Sequence, residues 1–345
     1  MKLLPFKWKR RSKYVGVDLG THAIKVVEAH PGNPPQIKNI GQVRLPVGQI
    51  SGGVYKNINI ISEKLQYLLK NLKIKNRKAV VSISSYAAII KRITINLTED
   101  KDIETAIYEE VEAHIPFDLE DVYLDYQIIS QIDHEIDTIV VAAKRELIDN
   151  VIEIISQTNL IPVVIDVDIL AIINLVEYLY KPTTTSIIID LGASKTSIIL
   201  WDEGNYVGHR DISYGTAQIN NYIKEIKNIN YEEAERLKFL ADKEDLKYVQ
   251  EAFKKYIDDI YQNIKDTTLY FESIFGNCRA ETFYICGGGS QIPFIEKFLE
   301  NQLKKEVIKI NPFQGLKISK LEDKSLDFFS GISCTAISLA IRELI

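Results

Sequence analysis

The chain is poor in the residues that staple a protein or load it with metal. It has three cysteines, Cys278, Cys286 and Cys334. They are odd in number and lack the paired spacing of a zinc site or a disulfide framework, which fits a reducing cytoplasm. Its five histidines are scattered, with no spacing that would make a ligand set. No apolar run reaches the roughly eighteen residues of a membrane-crossing helix, and the first residues lack the apolar core of a signal peptide. The protein is therefore expected to stay in the compartment where it is made. A local excess of positive charge stands at the very start of the chain. The net charge is −5, yet Lys2, Lys7, Lys9, Arg10, Arg11 and Lys13 place six cations in the first thirteen residues and leave −11 for the remainder. An acidic body of this kind argues against a nucleic-acid partner. The basic opening, with Leu3, Leu4, Phe6 and Trp8 among its cations, reads either as a solvated tail or as a segment that grazes an anionic membrane, and a single short cluster favours the tail.

What is present is a chain of 345 residues, 46% of them hydrophobic, enough for two domains with large cores. Its organising feature is a duplication. Tyr14-Val15-Gly16-Val17-Asp18-Leu19-Gly20-Thr21-His22-Ala23-Ile24-Lys25 is matched 172 residues later by Ile187-Ile188-Ile189-Asp190-Leu191-Gly192-Ala193-Ser194-Lys195-Thr196-Ser197-Ile198-Ile199. In each copy a doubly buried apolar run ends in Asp-Leu-Gly and turns into a second apolar run, which predicts a strand-turn-strand hairpin. Such a tip offers backbone N–H groups and a hydroxyl to phosphate oxygens, and its Asp can hold a divalent cation through water. Asp18 and Asp190 are therefore candidate Mg2+ holders. Gly20, Thr21, His22, Gly192, Ala193, Ser194, Lys195 and Thr196 are candidate phosphate contacts, and Lys25 is a point charge on the returning strand. His22 reads equally well as a solvated turn residue. A third element, Tyr284-Ile285-Cys286-Gly287-Gly288-Gly289-Ser290, runs a strand into three glycines, where a flat ring can lie against bare backbone.

This set resembles the two phosphate loops and the adenosine loop of the actin, Hsp70 and sugar kinase superfamily. The resemblance implies an α/β, ribonuclease H-like fold of duplicated domains around a nucleotide cleft, with ATP and Mg2+ as ligands. It implies a water-orienting residue where the chain crosses between domains. Asp168 is the candidate and Asp166 the second, with a helix N-cap as the competing role. It also implies that Glu235 and Lys238, one helical turn apart after the capping sequence Asn230-Tyr231-Glu232-Glu233, bracket ribose and adenine. The other reading of that pair is an exposed ion pair. Gly215, after Tyr214, stands where the family commonly has a Gly-Gly pair.

The first core is expected at residues 13–85, completed by 160–183 and 331–345, and the second at 184–215, completed by 270–330, with a helical subdomain at 216–269. Residues 86–159 have no counterpart in the second half and read as an inserted α+β subdomain of strand-helix-strand-strand-helix pattern. The last helix is expected as one amphipathic element, Ile332 to Ile345, folded back onto the first domain.

The position of the insertion resembles the SHS2-like subdomain of the FtsA and PilM branch. Glu112-Ala113-His114-Ile115-Pro116-Phe117, then Val122-Tyr123-Leu124-Asp125-Tyr126, and Asn311-Pro312-Phe313 are similar to the PilM family of type IV pilus assembly proteins. That resemblance implies a cytoplasmic, ATP-binding scaffold at the inner face of the cytoplasmic membrane with weak or no ATPase activity. It would hold the N-terminal tail of PilN in a groove between the first core and the insertion, and would contact motor components. A homo-oligomer or filament stays open. His22, Ala23 and Ser338 depart from the usual pattern. An FtsA-like division protein and a small-molecule kinase are the alternatives.

Overall fold

The computed structural model describes residues 13–97, 102–276, 279–319 and 323–345. The basic opening before Lys13 and Cys278 lie outside the described residues. The chain divides into two compact units, one running to Leu179 and including Pro312–Asp323 and Thr335–Ile345, the other Tyr180–Asn311 with Lys324–Cys334.

In the first unit β1 (Tyr14–Leu19) and β2 (Ala23–His30) form the expected hairpin, with Asp18 opposite Lys25 and Leu19 opposite Ile24. β3 (Gln36–Arg44) extends it antiparallel, and the short pair β4 (Ile50–Ser51) and β5 (Val54–Tyr55) follows. Helix α1 (Ile58–Asn71) starts at Asn57, whose side chain accepts the Ile60 amide at 3.1 Å, and buries the stripe Ile61, Leu65, Leu68 and Leu69. β6 (Lys78–Ile83) then lies parallel to β1.

The insertion comprises β7 (Ala88–Asn96), α2 (Ile103–His114), β8 (Val122–Ile132) and β9 (Glu135–Lys144), an antiparallel sheet in the order β7-β9-β8. Ile93, Ile107, Val111, Ile136 and Val140 make its own core. The following helix, α3 (Arg145–Ser156), corrects the expected boundary. Its buried residues Val151, Ile154 and Ile155 are absent from the insertion's core. It packs chiefly on α1 and on β10 (Ile161–Val167), and the Ser62 hydroxyl of α1 donates to the Ile154 carbonyl at 3.3 Å. β10 is parallel to β6. Parallel neighbours need a crossover element, and α3 is that crossover, so the insertion proper ends at Lys144. α4 (Asp168–Tyr180) comes next.

The second unit repeats the pattern. β11 (Ser186–Leu191) and β12 (Thr196–Asp202) pair with Asp190 opposite Ser197 and Leu191 opposite Thr196, the register of the first hairpin, and β13 (Asn205–Ile212) extends them. After helices α5 (Ala217–Lys227), α6 (Tyr231–Leu240) and α7 (Leu246–Phe275), β14 (Thr282–Cys286) lies parallel to β11, and α8 (Ile295–Leu303) leads to β15 (Glu306–Lys309) beside it. The first sheet is β10-β6-β1-β2-β3-β16, where β16 (Lys317–Ile318) is an added edge, and the second is β15-β14-β11-β12-β13. The core strands of both sheets follow one order of appearance from edge to edge, which is the duplication seen in the hairpins.

The single amphipathic final helix is not found. α9 (Asp323–Ile332) and α10 (Cys334–Ile341) are separate, parted at Ser333, whose hydroxyl donates to the Phe329 carbonyl. Ala336, Ile337, Leu339, Ala340 and Ile341 of α10 are all buried, so the element is enclosed rather than two-faced. Its expected return to the first unit does hold. Gly16 of β1 lies so close that a Cβ there would stand 2.1 Å from the Ala336 carbonyl oxygen. Among the described residues no helix is long and apolar enough to cross a membrane.

Candidate functional site

In the first unit the β1–β2 turn places Asp18, Gly20, Thr21 and His22 at the carboxyl end of β1, the end of the strands where ligand crevices form in α/β folds. Lys25 does not stand free: its Nζ is 2.9 Å from Asp18 Oδ2. The His22 carbonyl accepts the Leu45 amide at 2.9 Å, which fixes the turn to the end of β3.

The two candidates at the end of β10 differ sharply. Asp168 Oδ1 accepts the backbone amides of Ser85 at 2.9 Å and Ile169 at 2.8 Å, so it ties the start of α4 to the turn after β6. Asp166 is 1% exposed and pairs with Arg342 Nε at 2.7 Å. Burial pushes its carboxyl above the usual range while Arg342 pulls it down. Its visible role is to anchor the segment after α10. Sequence reasoning passed over Tyr55, a buried phenol held above its ordinary value by burial and then by the charges of Asp168 and Asp18.

The second unit brings its predicted turn residues and Gly215 together. The Gly192 and Ala193 carbonyls accept the amides of Thr216 and Ala217 at 3.0 and 2.9 Å, locking the β11–β12 turn to the start of α5. Gly215 is obligatory there, because a Cβ would fall 2.4 Å from the Ala193 carbonyl oxygen. The Thr196 hydroxyl donates to the Tyr214 carbonyl at 2.7 Å, which removes it from the surface of the turn. Lys195 pairs with Asp211 at 3.3 Å, a partner the sequence reading did not name. Ser194 sits in the same turn.

The glycine strand-end joins this cluster through Asp190. Gly287 adopts φ +79°, and a Cβ on it would lie 2.2 Å from Asp190 Oδ1, so only glycine lets the two loops meet. The Ser290 hydroxyl closes the turn on the Gly287 carbonyl at 2.8 Å, Gly289 is buried, and Gly288 opens onto free space. Cys286 Sγ is 3.9 Å from Asp190 Oδ1. Its thiol is pushed well up by contact with Cys334, by burial and by the Asp190 charge. Glu235 and Lys238 form an ion pair at 3.0 Å with side chains 14% and 11% exposed, and Asn220 also donates to Glu235. The exposed-pair reading of these two residues does not hold.

A family model described as type IV pilus assembly protein PilM matches residues 16–344. The chain belongs to the PilM family. This PilM-family chain is also similar to solved structures. One, described as the PilM-PilN type IV pilus biogenesis complex, is 23% identical, covers 97% of this chain and 99% of that one, and superposes with a TM-score of 0.86. Another, the ethanolamine utilization protein EutJ from Carboxydothermus hydrogenoformans, is 14% identical over 96% of this chain and 89% of that one, with a TM-score of 0.55. The fold is the actin-like one, as the doubled hairpins and the PilM resemblance implied.

Proposed function

We propose that this chain is an ATP-binding, actin-like scaffold of type IV pilus assembly that captures the N-terminal tail of a PilN-like membrane protein and links it to motor components at the inner face of the cytoplasmic membrane. The observation that carries the reading is the PilM family match over nearly the whole chain, and a solved PilM-PilN complex of the same fold supports the choice of partner. Two sheet edges in the first unit suit an extended peptide. β8 borders the insertion's sheet with Tyr123 exposed, and β10 borders the core sheet with Val163 exposed.

The residues present fit a nucleotide. The glycines of the second unit bring backbone against backbone while Gly288 faces open space, as a planar base requires. Phosphates would be held by Gly20, Thr21, His22, Lys25, Gly192, Ala193, Ser194, Lys195 and Gly215, while Thr196, expected among them, is buried with its hydroxyl on the Tyr214 carbonyl. Glu235, Lys238 and Gly287 to Ser290 would hold the nucleoside, and Asp18 and Asp190 a magnesium ion through water, which shields the phosphate charge. Asp168 is the candidate for the water-orienting residue, with Asp166 second. The engagement of Asp168 with two backbone amides argues for weak or absent hydrolysis. The PilM family match favours the scaffold over a small-molecule kinase or an FtsA-like division protein.

Calorimetric titration tests both halves. A synthetic PilN-like tail should bind the full chain, and ATP with magnesium should bind it but not an Asp190→Ala variant. Absence of tail binding overturns the scaffold reading, and unchanged ATP binding by the variant overturns the metal assignment.

A further inference from the structure

We infer that the edge of the first sheet where its parallel strands begin is a docking face for an anionic lipid bilayer. β1, β6 and β10 run parallel, with Val15 opposite Ala79 and Ile161 opposite Lys78, and the Asp18 turn lies at their far end. At the near end, six cations gather: Lys13, Lys38, Lys70, Lys73, Lys75 and Arg77. They line two shallow grooves that share Lys75 and Asn76, so the face is continuous. All but Lys38 are exposed. Among the described residues none of the six is ion-paired to a carboxylate. The acids nearby do not neutralise them. Glu28 is buried and bound to Asn39 at 2.6 Å and near His30 at 3.5 Å, which leaves Glu63 at the rim.

This concentration stands against a body whose net charge is −11 beyond residue 13, so it is a local field rather than a general basic character. A bilayer fits it better than a nucleic acid because large apolar side chains stand exposed beside the cations. Tyr67, 60% exposed, lines the groove of Lys70 and Arg77, and Ile161, 55% exposed, pairs with Lys78 at the same sheet edge. Tyr and aliphatic side chains of this kind settle at the headgroup boundary while Lys and Arg reach the phosphates. The sequence before Lys13 also contains Lys2, Lys7, Lys9, Arg10 and Arg11 together with Leu3, Leu4, Phe6 and Trp8. One short basic cluster holds a membrane weakly, whereas further cations on the same chain add to it. Docked this way, the sheet presents the Asp18 turn away from the lipid.

The inference is independent of the PilN reading, and its test contains no protein partner. The full chain is sedimented with vesicles of phosphatidylcholine alone and of phosphatidylcholine with about 30% phosphatidylglycerol. Binding is expected to the anionic vesicles alone and to fall steeply between 0.05 and 0.5 M salt, both rough working points for screening of exposed charge. Each cation near an anionic surface contributes about fivefold in partition. The charge reversal Lys70→Glu, Lys75→Glu, Arg77→Glu should therefore lower binding at least about a hundredfold. If that exchange unfolds the chain by circular dichroism, Lys75→Gln with Arg77→Gln is read instead, with about a twenty-fivefold loss expected. A chain lacking residues 1–12 should keep salt-sensitive binding at reduced strength. Equal binding to neutral vesicles, wild-type binding by the reversal variant, complete loss on removing residues 1–12, or binding to duplex DNA but not to vesicles each overturns the proposal.

Discussion

The contact between Asp166 and Arg342 joins positions 176 apart in sequence at 2.7 Å, with the carboxylate fully enclosed. Removing one partner of such a pair strands the other charge. Arg342→Met should cost about 3–5 kcal/mol at pH 8, read by urea unfolding. The sign of its pH dependence follows from burial, which raises the folded-state value of Asp166. The folded chain therefore holds that proton more tightly than the unfolded chain, and this group's contribution to stability falls as pH rises through the raised value. Without Arg342 a proton can replace the guanidinium, so the deficit of the variant should shrink at pH 5. Equal deficits at both pH values would mean that Asp166 is not the stranded charge. In the sequence Asp166 stands out only as the second candidate for the water-orienting residue. Its partner does not stand out at all, because an arginine near a chain end carries no mark of the buried group it will meet. The same holds for Tyr55, whose phenol feels the charges of Asp168 and Asp18, and for Asp211 beside Lys195. Side-chain type and local spacing reveal the turn, while the cross-sheet partner depends on how distant segments fold.

Elements were legible where their signals are local. The two hairpins, the capping box at Asn230 and Glu233 and the strand-to-glycine turn at Gly287 all stand where local pattern put them. Assigning an element to its neighbours was harder. The stripe Val151, Ile154 and Ile155 fits either sheet equally well, because periodicity shows that a face is buried but not against what. Its place on α1 and β10 came only from the fold. The distinction is testable by excision. Ala88 lies opposite Ala143, so the ends of the insertion are one strand spacing apart. A short Gly-Ser linker joining Ala87 to Arg145 should leave a cooperatively folded chain that binds ATP and has lost the PilN-like tail. Excision of residues 86–159 also removes α3. Three buried side chains at roughly 1.5–3 kcal/mol each then go, a loss comparable to the whole stability of a domain, and the product should be insoluble. Tail binding by the shorter excision would remove the insertion from the docking site, and soluble, folded material from the longer one would return α3 to the insertion.

At the scale of the whole molecule, the chain is laid out as one unit interrupted by another. The first unit is finished only when residues 335–345 arrive, after the complete second unit has been made. Those residues contribute close packing as well as surface: α10 is enclosed, the Ser338 hydroxyl donates to the Ala171 carbonyl, Ala336 lies against Gly16, and Arg342 reaches Asp166. The second unit, by contrast, draws its sheet and its main core from one continuous stretch, with Ile187, Ile198, Ile223, Tyr256, Ile264, Phe271 and Ile285 among its buried residues. The two units should therefore respond differently to truncation. A chain ending at Ser333 should lose the cooperative unfolding of the first unit, since an opened core sheet with a missing helix cannot exclude water. A fragment of residues 180–334 should fold alone with strong helical circular dichroism and a single thermal transition, because no buried partner in its core is missing. Native mass spectrometry and differential scanning calorimetry distinguish the outcomes. If the truncated chain keeps both transitions, the final helix is ornamental to the first unit; if the fragment is unfolded, the second unit depends on the first. Either result would refute the asymmetry that the chain's layout imposes on its assembly.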